Sequence, residues 1–166
     1  MAQLGRRLFK VLALLFFTAG LFGCDHATKA VATSALGGGE KVRLLGDVLV
    51  LEWTPNPDVA FSMIRNFGLT PWSTPALLVA AATASMALMA FVWWKSRREG
   101  VFVNIGFAAA FAGALGNVVD RLVHGYVVDF IHVKRWPVFN VADILVVVGL
   151  GLAFLAKRRK RDTLQE

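Results

Sequence analysis

Long apolar runs without a charged side chain most constrain how this chain folds. The runs from Trp72 to Trp94 and from Val101 to Val119 contain no Asp, Glu, Lys or Arg. Each is close to the roughly 20 residues that a helix needs to cross a hydrocarbon core of about 30 Å. Charged residues make up only 17% of the chain, whereas soluble proteins average about a quarter. The sequence therefore predicts a membrane protein.

Two further runs complete a set of four predicted spans. The first lies near the N-terminus and includes Lys10, whose long side chain can reach the membrane surface. The last includes Asn140 and Asp143. We expect an all-α membrane protein, with residues 1–166 forming one four-span domain. The spans are predicted at about 8–28, 71–94, 101–123 and 137–156.

The basic residues predict the orientation of the spans. Lys and Arg concentrate on the cytoplasmic side of membrane proteins. Most of the 18 basic residues lie before the first span, between the second and third, and after the fourth. Both termini are therefore expected in the cytoplasm. The net charge of +7 then reflects topology and attraction to anionic membrane lipid, and no nucleic-acid partner is expected because no basic face interleaved with aromatic residues is present.

The loop of about residues 31–70 should lie on the opposite, extracytoplasmic side. It contains three consecutive glycines from Gly37, a Val-rich run from Lys41 to Trp53, and two X-Pro pairs ending at Pro57. Glycines interrupt helices, and the residue before a proline favours extended backbone. We expect a small β element here, between the first two spans.

The N-terminal run allows a second interpretation. Arg6 and Arg7, the apolar run and the segment from Leu21 to Cys24 resemble a secretory signal that ends in a lipoprotein-type cleavage site. Retention as the first span is favoured, because Phe22 is bulky for a position that prefers small residues and three more spans follow. Cys24 is the only cysteine, which excludes an internal disulfide and a multi-cysteine zinc site.

Three acids, Asp120, Asp129 and Asp143, lie in or beside the last two apolar stretches. Ionisable groups at membrane depth are costly and usually functional. With a helical rise of about 1.5 Å per residue, Asp143 lies about 21 Å from the inner edge at Lys157, roughly 9 Å below the outer rim. Gly125 allows the chain to turn back after the third span. Asp129 and Asp143 are thus expected to meet near the outer surface.

Two carboxyls in a low-dielectric site cannot both ionise, so one keeps a proton while the other acts as a base. Such a pair can activate water for attack on a peptide carbonyl and protonate the leaving amine. An equally good account of the spacing is structural ion pairing. In that case Asp120 would pair with Arg121, or Asp129 with Lys134 or Arg135.

Four sequence blocks separate these alternatives. Residues 116–121 (GNVVDR), 125–130 (GYVVDF) and 139–143 (FNVAD) resemble, in order, the signature blocks of the lipoprotein signal peptidase family, signal peptidase II. Residues 25–29 (DHATK) resemble its Asp-x-x-Thr-Lys block. The resemblance covers nearly the whole chain, and several blocks in the right order are more specific than any single motif.

This resemblance implies an aspartic endopeptidase of the bacterial inner membrane. Such an enzyme removes the signal peptide from a diacylglyceryl prolipoprotein and cuts before the lipidated cysteine. We expect no cofactor and no metal, and a monomer whose partners are this substrate and membrane lipid. By the same resemblance Asp129 and Asp143 are the catalytic pair. The supporting or substrate-binding residues are Asn56, Asn117, Asp120, Arg121, Asn140, Asp25 and Lys29.

Helical spacing predicts how several of these residues cooperate. Asn117 and Arg121 are four residues apart and share one helix face with Asp120. Asn140 precedes Asp143 by three and lies on the same side of its span. Asp25 precedes Lys29 by four, the favourable order for a helical ion pair, which we expect to be mainly structural. The Ala-rich stretch with Gly113 and Gly116 predicts close helix packing.

The outer loop departs from the family pattern. The usual block is Asn-x-Gly-x-Ala-Phe, whereas residues 56–61 read NPDVAF. Asp58 replaces the glycine and Pro57 stiffens the approach, which puts the shape of the loop and its substrate preference in doubt.

Other functions are open on the residues alone. The same acids could carry ions in a small transporter or proton-conducting bundle, although all of them are predicted in the outer half of the membrane. A noncatalytic assembly protein that keeps this fold is a weaker alternative. A metal site of His26, His124 and His132 with Asp129 is disfavoured by the spacing, and no nucleophile-elbow glycines surround Ser62.

Overall fold

The computed structural model describes residues 2–57 and 75–162. In these ranges the chain forms helices and a small sheet. The helices are α1 (Ala2–Leu36), α2 (Pro75–Ser96), α3 (Val101–His124) and α4 (Val141–Asp162). The strands are β1 (Lys41–Leu45), β2 (Leu49–Asn56) and β3 (Val127–Val133).

Three of these helices are long and apolar enough to cross a membrane. The qualifying segments are Gln3–Leu36, Val79–Ser96 and Val101–His124. α4 lies outside this set because Asp143 occupies its first turn and basic residues fill its last turns. Large apolar side chains cover the outer faces, as with Phe16, which is 81% exposed. The prediction of a mostly helical membrane protein is confirmed, and the helices match the four predicted spans in number and order.

Helix α3 occupies the centre of the bundle and packs against α1, α2 and α4. Its contact with α4 depends on small residues. A Cβ added to Gly106 would lie 2.5 Å from the backbone oxygen of Gly149, and a Cβ added to Gly113 would meet the backbone oxygen of Ala142. Apolar side chains gain little by leaving lipid for one another, so close backbone packing stabilises helix pairs in membranes. The predicted close packing at Gly113 is confirmed.

The sheet is antiparallel with strand order β1-β2-β3. β1 and β2 form a hairpin that turns at Gly46, whose φ of 55° lies in the left-handed region. This hairpin is the β element predicted between the first two spans. The third strand was not predicted. Gly125 ends α3 with φ of 80°, and the β-branched residues that follow pair with β2 instead of turning directly toward the bilayer.

Two of the differences between the helix ends and the predicted spans lie next to the sheet. α1 continues past residue 28 to Leu36 because Ala32 and Leu36 pack against Phe130 beneath the sheet. α4 begins at Val141 and not at residue 137, because Phe139 is held in extended backbone by hydrogen bonds with Ile131 of β3. Both differences arise from contacts with the sheet, and they bring β3 to the helix ends that carry the predicted site.

Candidate active site

Asn140 lies between the two aspartates that the sequence singles out. Asp129 is on β3, and Asp143 is in the first turn of α4. The side-chain amide of Asn140 donates to Oδ1 of Asp129 at 2.7 Å, and its backbone N–H donates to Oδ2 of Asp143 at 3.2 Å. The backbone N–H of Asp143 donates to Oδ1 of Asn140 at 3.0 Å. The two carboxyls are therefore held around one fully buried asparagine.

Two further amides among the described residues donate hydrogen bonds to the pair. Asn56, at the end of β2, donates to Oδ2 of Asp129 at 2.7 Å. Asn117 of α3 donates to Oδ1 of Asp143 at 2.9 Å and accepts from Asn140 at 3.1 Å. β2 delivers Asn56 because its pairing with β3 sets that residue opposite Val127, two positions from Asp129. Three asparagines from three parts of the chain thus orient two carboxyls.

The environment of Asp129 favours its protonated form. The residue is 2% exposed, and burial raises the pKa of its carboxyl to about 7. The nearby charge of Asp143 raises the pKa further, while the amide donors of Asn56 and Asn140 offset part of the rise. Near neutral pH this carboxyl can keep a proton that an ordinary aspartate would lose.

A buried cation lies next to the pair. Nζ of Lys29 is 2.7 Å from Oδ2 of Asp25 and 2.9 Å from Oδ2 of Asp120. It also donates to Oδ1 of Asn117 at 3.0 Å. Oδ1 of Asp25 accepts from the backbone N–H of Ala142 at 2.9 Å. This cluster joins α1, α3 and α4, and it reaches the catalytic candidates through Asn117.

The structure resolves the question of ion pairing for Asp120. The predicted helical pair of Asp25 with Lys29 is present, but Lys29 also binds Asp120. The sequence predicted Arg121 as a possible partner of Asp120 but gave no sign of Lys29, because that contact joins two helices. Asp129, for which the sequence left Lys134 or Arg135 as possible partners, accepts hydrogen bonds from asparagine side-chain amides.

Arg121 shares a face of α3 with Asn117, as the helical spacing predicts. Its guanidinium donates to the backbone oxygen of Asn117 at 3.0 Å, four residues earlier on α3. The carboxyls of Asp129, Asp143 and Asp120 all act on it electrostatically. This position gives the carboxyl pair a nearby positive charge.

All nine predicted site residues gather where the helix ends meet the sheet. Residues 58–61 of the outer-loop block lie outside the described residues, so the effect of Asp58 on the shape of the loop stays a prediction. The histidines make separate contacts: His26 packs on Phe22, and His132 lies 3.0 Å from Glu52.

Two participants were missed by sequence reasoning. A Cβ on Gly116 would collide with the carboxylate of Asp25, so this glycine makes room for the cluster as well as for helix packing. The backbone N–H of Val128 donates to Oδ2 of Asp120 at 3.3 Å and ties β3 to α3. Neither a backbone N–H nor the room left by a missing Cβ can be recognised from residue spacing, so the sequence could not have revealed either role.

Fold and site together define a class: a helical membrane protein with a carboxyl pair, Asp129 buried and Asp143 half-buried, at one end of its bundle. The family described as signal peptidase (SPase) II matches residues 17–157. This chain belongs to the signal peptidase II family and is a protease of that family. The resemblance seen in the sequence blocks is confirmed.

Relatives agree with this assignment, and solved structures agree with the fold. The lipoprotein signal peptidases of Brucella ovis and Brucella melitensis are each 37% identical over 145 residues, which cover 82% of this chain and 86% of the relative. A structure described as a bacterial membrane enzyme at 2.3 Å shares 21% identity with a TM-score of 0.75, over 91% of this chain and 90% of that one. A second, at 1.9 Å, shares 22% identity with a TM-score of 0.73, over 87% and 91%. These two support the fold.

Proposed function

We propose that this chain is an aspartic endopeptidase. It removes the signal peptide from diacylglyceryl-modified prolipoproteins and cuts before the lipidated cysteine. The observation that carries the proposal is the placement of Asp129 and Asp143 on opposite sides of Asn140, each hydrogen-bonded to it. Family membership supports the choice of substrate, and the geometry of the two carboxyls supports an aspartic mechanism.

One shared proton allows the pair to act as acid and base. The ionised carboxyl removes a proton from water while the oxygen of that water attacks the peptide carbonyl carbon. The protonated carboxyl then gives its proton to the leaving nitrogen as the carbon–nitrogen bond breaks. The raised pKa of Asp129 favours it as the proton carrier near neutral pH, although the two groups titrate as a unit.

The neighbours of the pair have positioning roles. Asn56, Asn117 and Asn140 orient the carboxyls through their amides. Arg121 contributes positive charge, and the cluster of Asp25, Lys29 and Asp120 joins the helices that carry the site. We expect neither a metal nor a cofactor in this chemistry.

The bilayer itself delivers the substrate in this proposal. The chain acts as a monomer, with residues 1–166 forming one four-span domain and both termini in the cytoplasm. Asp143 and Lys157 are fourteen residues apart on α4, or about 21 Å along the helix, so the site lies near the extracytoplasmic face. A signal peptide can cross beside the helices while its diacylglycerol stays in lipid and its scissile bond reaches the acids.

The arrangement of the acids does not favour the transporter alternative. A proton or ion path requires polar groups spread through the membrane. Here Asp25, Asp120, Asp129 and Asp143 all lie in one cluster at the end of the bundle next to the sheet.

Cleavage of one lipidated precursor by purified variants in detergent tests the proposal. Asp129→Asn and Asp143→Asn should each lower kcat by about a hundredfold to ten-thousandfold, because an amide is neither acid nor base. Asp47→Asn is the matched control, since that acid is 82% exposed in its side chain and lies in the β1–β2 turn. Melting temperatures should show that all three variants are folded. Cleavage at the unaltered rate by either site variant would contradict the proposal.

A further inference from the structure

A groove of about 1120 Å³ runs between α1 and α2 at the end of the bundle opposite the carboxyl pair. Among the described residues, α1 and α2 each pack against α3, and Asn104 and Ile105 of α3 also line the groove. The residues that define this α1–α2 groove include Arg7, Lys10, Leu14, Phe17, Trp93 and Arg98. It shares no residue with the proposed active site.

The lining of the groove changes in character along its length. Phe17 and Leu14 on α1 and Ala90 and Trp93 on α2 form apolar walls. Arg7 lies ten residues before Phe17, about 15 Å along the helix. That distance is half of a hydrocarbon core of about 30 Å, so the groove is as deep as one leaflet.

Positive charge is concentrated at the shallow end. Arg7, Lys10, Arg97 and Arg98 all line the groove, and no acidic residue is among the described residues that line it. The acid of the α2–α3 connection, Glu99, is 3.0 Å from Lys157 of α4 and is neutralised there. An anionic group at this rim would therefore meet several cations and no competing carboxylate.

We propose that the α1–α2 groove binds one phospholipid with an anionic headgroup. Its phosphate lies at the basic rim and an acyl chain lies along Leu14 and Phe17. Basic pockets between membrane helices on the cytoplasmic side bind such headgroups. The N-terminal region of a signal peptide is itself basic and would be repelled by the same rim, so charge complementarity selects the lipid over the substrate helix.

Native mass spectrometry of the delipidated protein with dioleoylphosphatidylglycerol or dioleoylphosphatidylcholine tests this site. The unaltered chain should bind the anionic lipid at least about tenfold more tightly than the zwitterionic one. Arg7→Gln with Arg98→Gln should weaken phosphatidylglycerol binding by about twentyfold. The matched control is Arg6→Gln with Arg158→Gln, which removes the same charge from exposed positions at the same end of the bundle, and it should bind as the unaltered chain does.

A second variant distinguishes binding inside the groove from attraction to the charged surface. Ala90→Trp adds bulk inside the apolar wall without changing the charge, and it should weaken the binding of both lipids. Equal binding of the two lipids by the unaltered chain would overturn the proposal. So would an equal loss in the Arg6/Arg158 control, or full phosphatidylglycerol binding by Ala90→Trp. None of these measurements depends on peptidase activity, so the outcome is independent of the proposed function.

Discussion

Lys29 balances the charge at the centre of the site. Its ammonium contacts Asp25, Asp120 and Asn117 within 3.0 Å, and the residue is only 3% exposed. A buried ion pair adds little net stability, because desolvation offsets most of the attraction. Removing one partner is different, since a carboxylate that stays buried has lost its counter-charge. Lys29 therefore matters because its removal is costly. Its ion pairs need not make the protein more stable than an apolar core would.

We expect Lys29→Met to destabilise the folded protein by about 3–5 kcal/mol, because it leaves two buried carboxylates without their cation. Thermal unfolding in detergent measures the change. Lys41→Met is the matched control: its side chain is 59% exposed in an ion pair with Glu52, and exposed pairs contribute about 0–1 kcal/mol. Adding Asp120→Asn to Lys29→Met should restore part of the loss. Equal effects of the two lysine variants would refute this account of Lys29.

The titration of Asp129 predicts the pH dependence of cleavage. Since burial raises the pKa of this carboxyl to about 7, it is protonated below that pH and ionised above it. kcat/KM should be bell-shaped: it falls above about pH 7 as the acid loses its proton, and at low pH as the base gains one.

A histidine near the site provides the control for this profile. Nδ1 of His124 lies 4.0 Å from Oδ1 of Asp120, so this imidazole is a second ionisable group next to the site. His124→Gln should keep the alkaline limb if Asp129 causes it. Disappearance of the limb in that variant would assign it to the histidine.

At the scale of elements, the crossing of α3 and α4 sets the separation of the site residues. Asn117 lies on α3 and Asp143 on α4, and their hydrogen bond requires the two backbones to approach closely. Gly106 and Gly149 make that approach possible. A Cβ on Gly149 would lie 2.5 Å from the backbone oxygen of Gly106 and 2.6 Å from the backbone nitrogen of Ala110. Backbone atoms cannot move aside as the end of a flexible side chain can.

Gly149→Ala should therefore push the helices apart, lowering the melting temperature and reducing kcat by about a hundredfold through misplacement of the carboxyls. Gly151→Ala is a matched control two residues further along α4. A Cβ there meets nothing within 4 Å, and replacing glycine with alanine inside a helix stabilises it by about 1 kcal/mol. The melting temperature should fall for Gly149→Ala and rise for Gly151→Ala, and precursor cleavage should fall only for Gly149→Ala. A stable, active Gly149→Ala protein would show that the crossing tolerates wider spacing.

At the scale of the whole molecule, the largest groups of basic residues lie at the end of the helix bundle opposite the carboxyl pair. The basic residues of the α2–α3 connection and of the last turns of α4 lie together, as the contacts of Lys157 with Glu99 and of Lys160 with Arg98 show. Arg7 and Lys10 of α1 line the same groove as Arg98. The sheet and the carboxyl pair lie at the other end of the helices. This asymmetry, with the preference of basic residues for the cytoplasm, underlies the proposed orientation.

Labelling of intact cells with a membrane-impermeant maleimide tests this orientation. In a Cys24→Ser background, Asp47→Cys in the β1–β2 turn should be labelled from outside, whereas Arg158→Cys at the end of α4 should be labelled only after lysis. Both positions are exposed, so a difference reports the side of the membrane. Labelling of Arg158→Cys in intact cells would reverse the topology.

The sequence by itself determined that the chain is a helical membrane protein, and it singled out the acids proposed for catalysis. Apolar runs such as Val101–Val119 are local patterns, and a helix in lipid must satisfy its backbone within its own segment, so its existence is readable before folding. The blocks around Asp129 and Asp143 were likewise recognisable, since their spacing within each block is local. The hairpin was visible in its glycines and valines.

Only the tertiary structure decided which of these groups meet. The contact of Lys29 with Asn117 joins residues 88 apart, and that of Ala142 with Asp25 joins residues 117 apart. β3 was missed because a short strand next to a helix end is stabilised by its partner β2, and Asn140 gained its central position only when β3 and α4 came together. Local preference selects the elements, but a buried polar contact depends on groups brought from distant parts of the chain, and only packing brings them together.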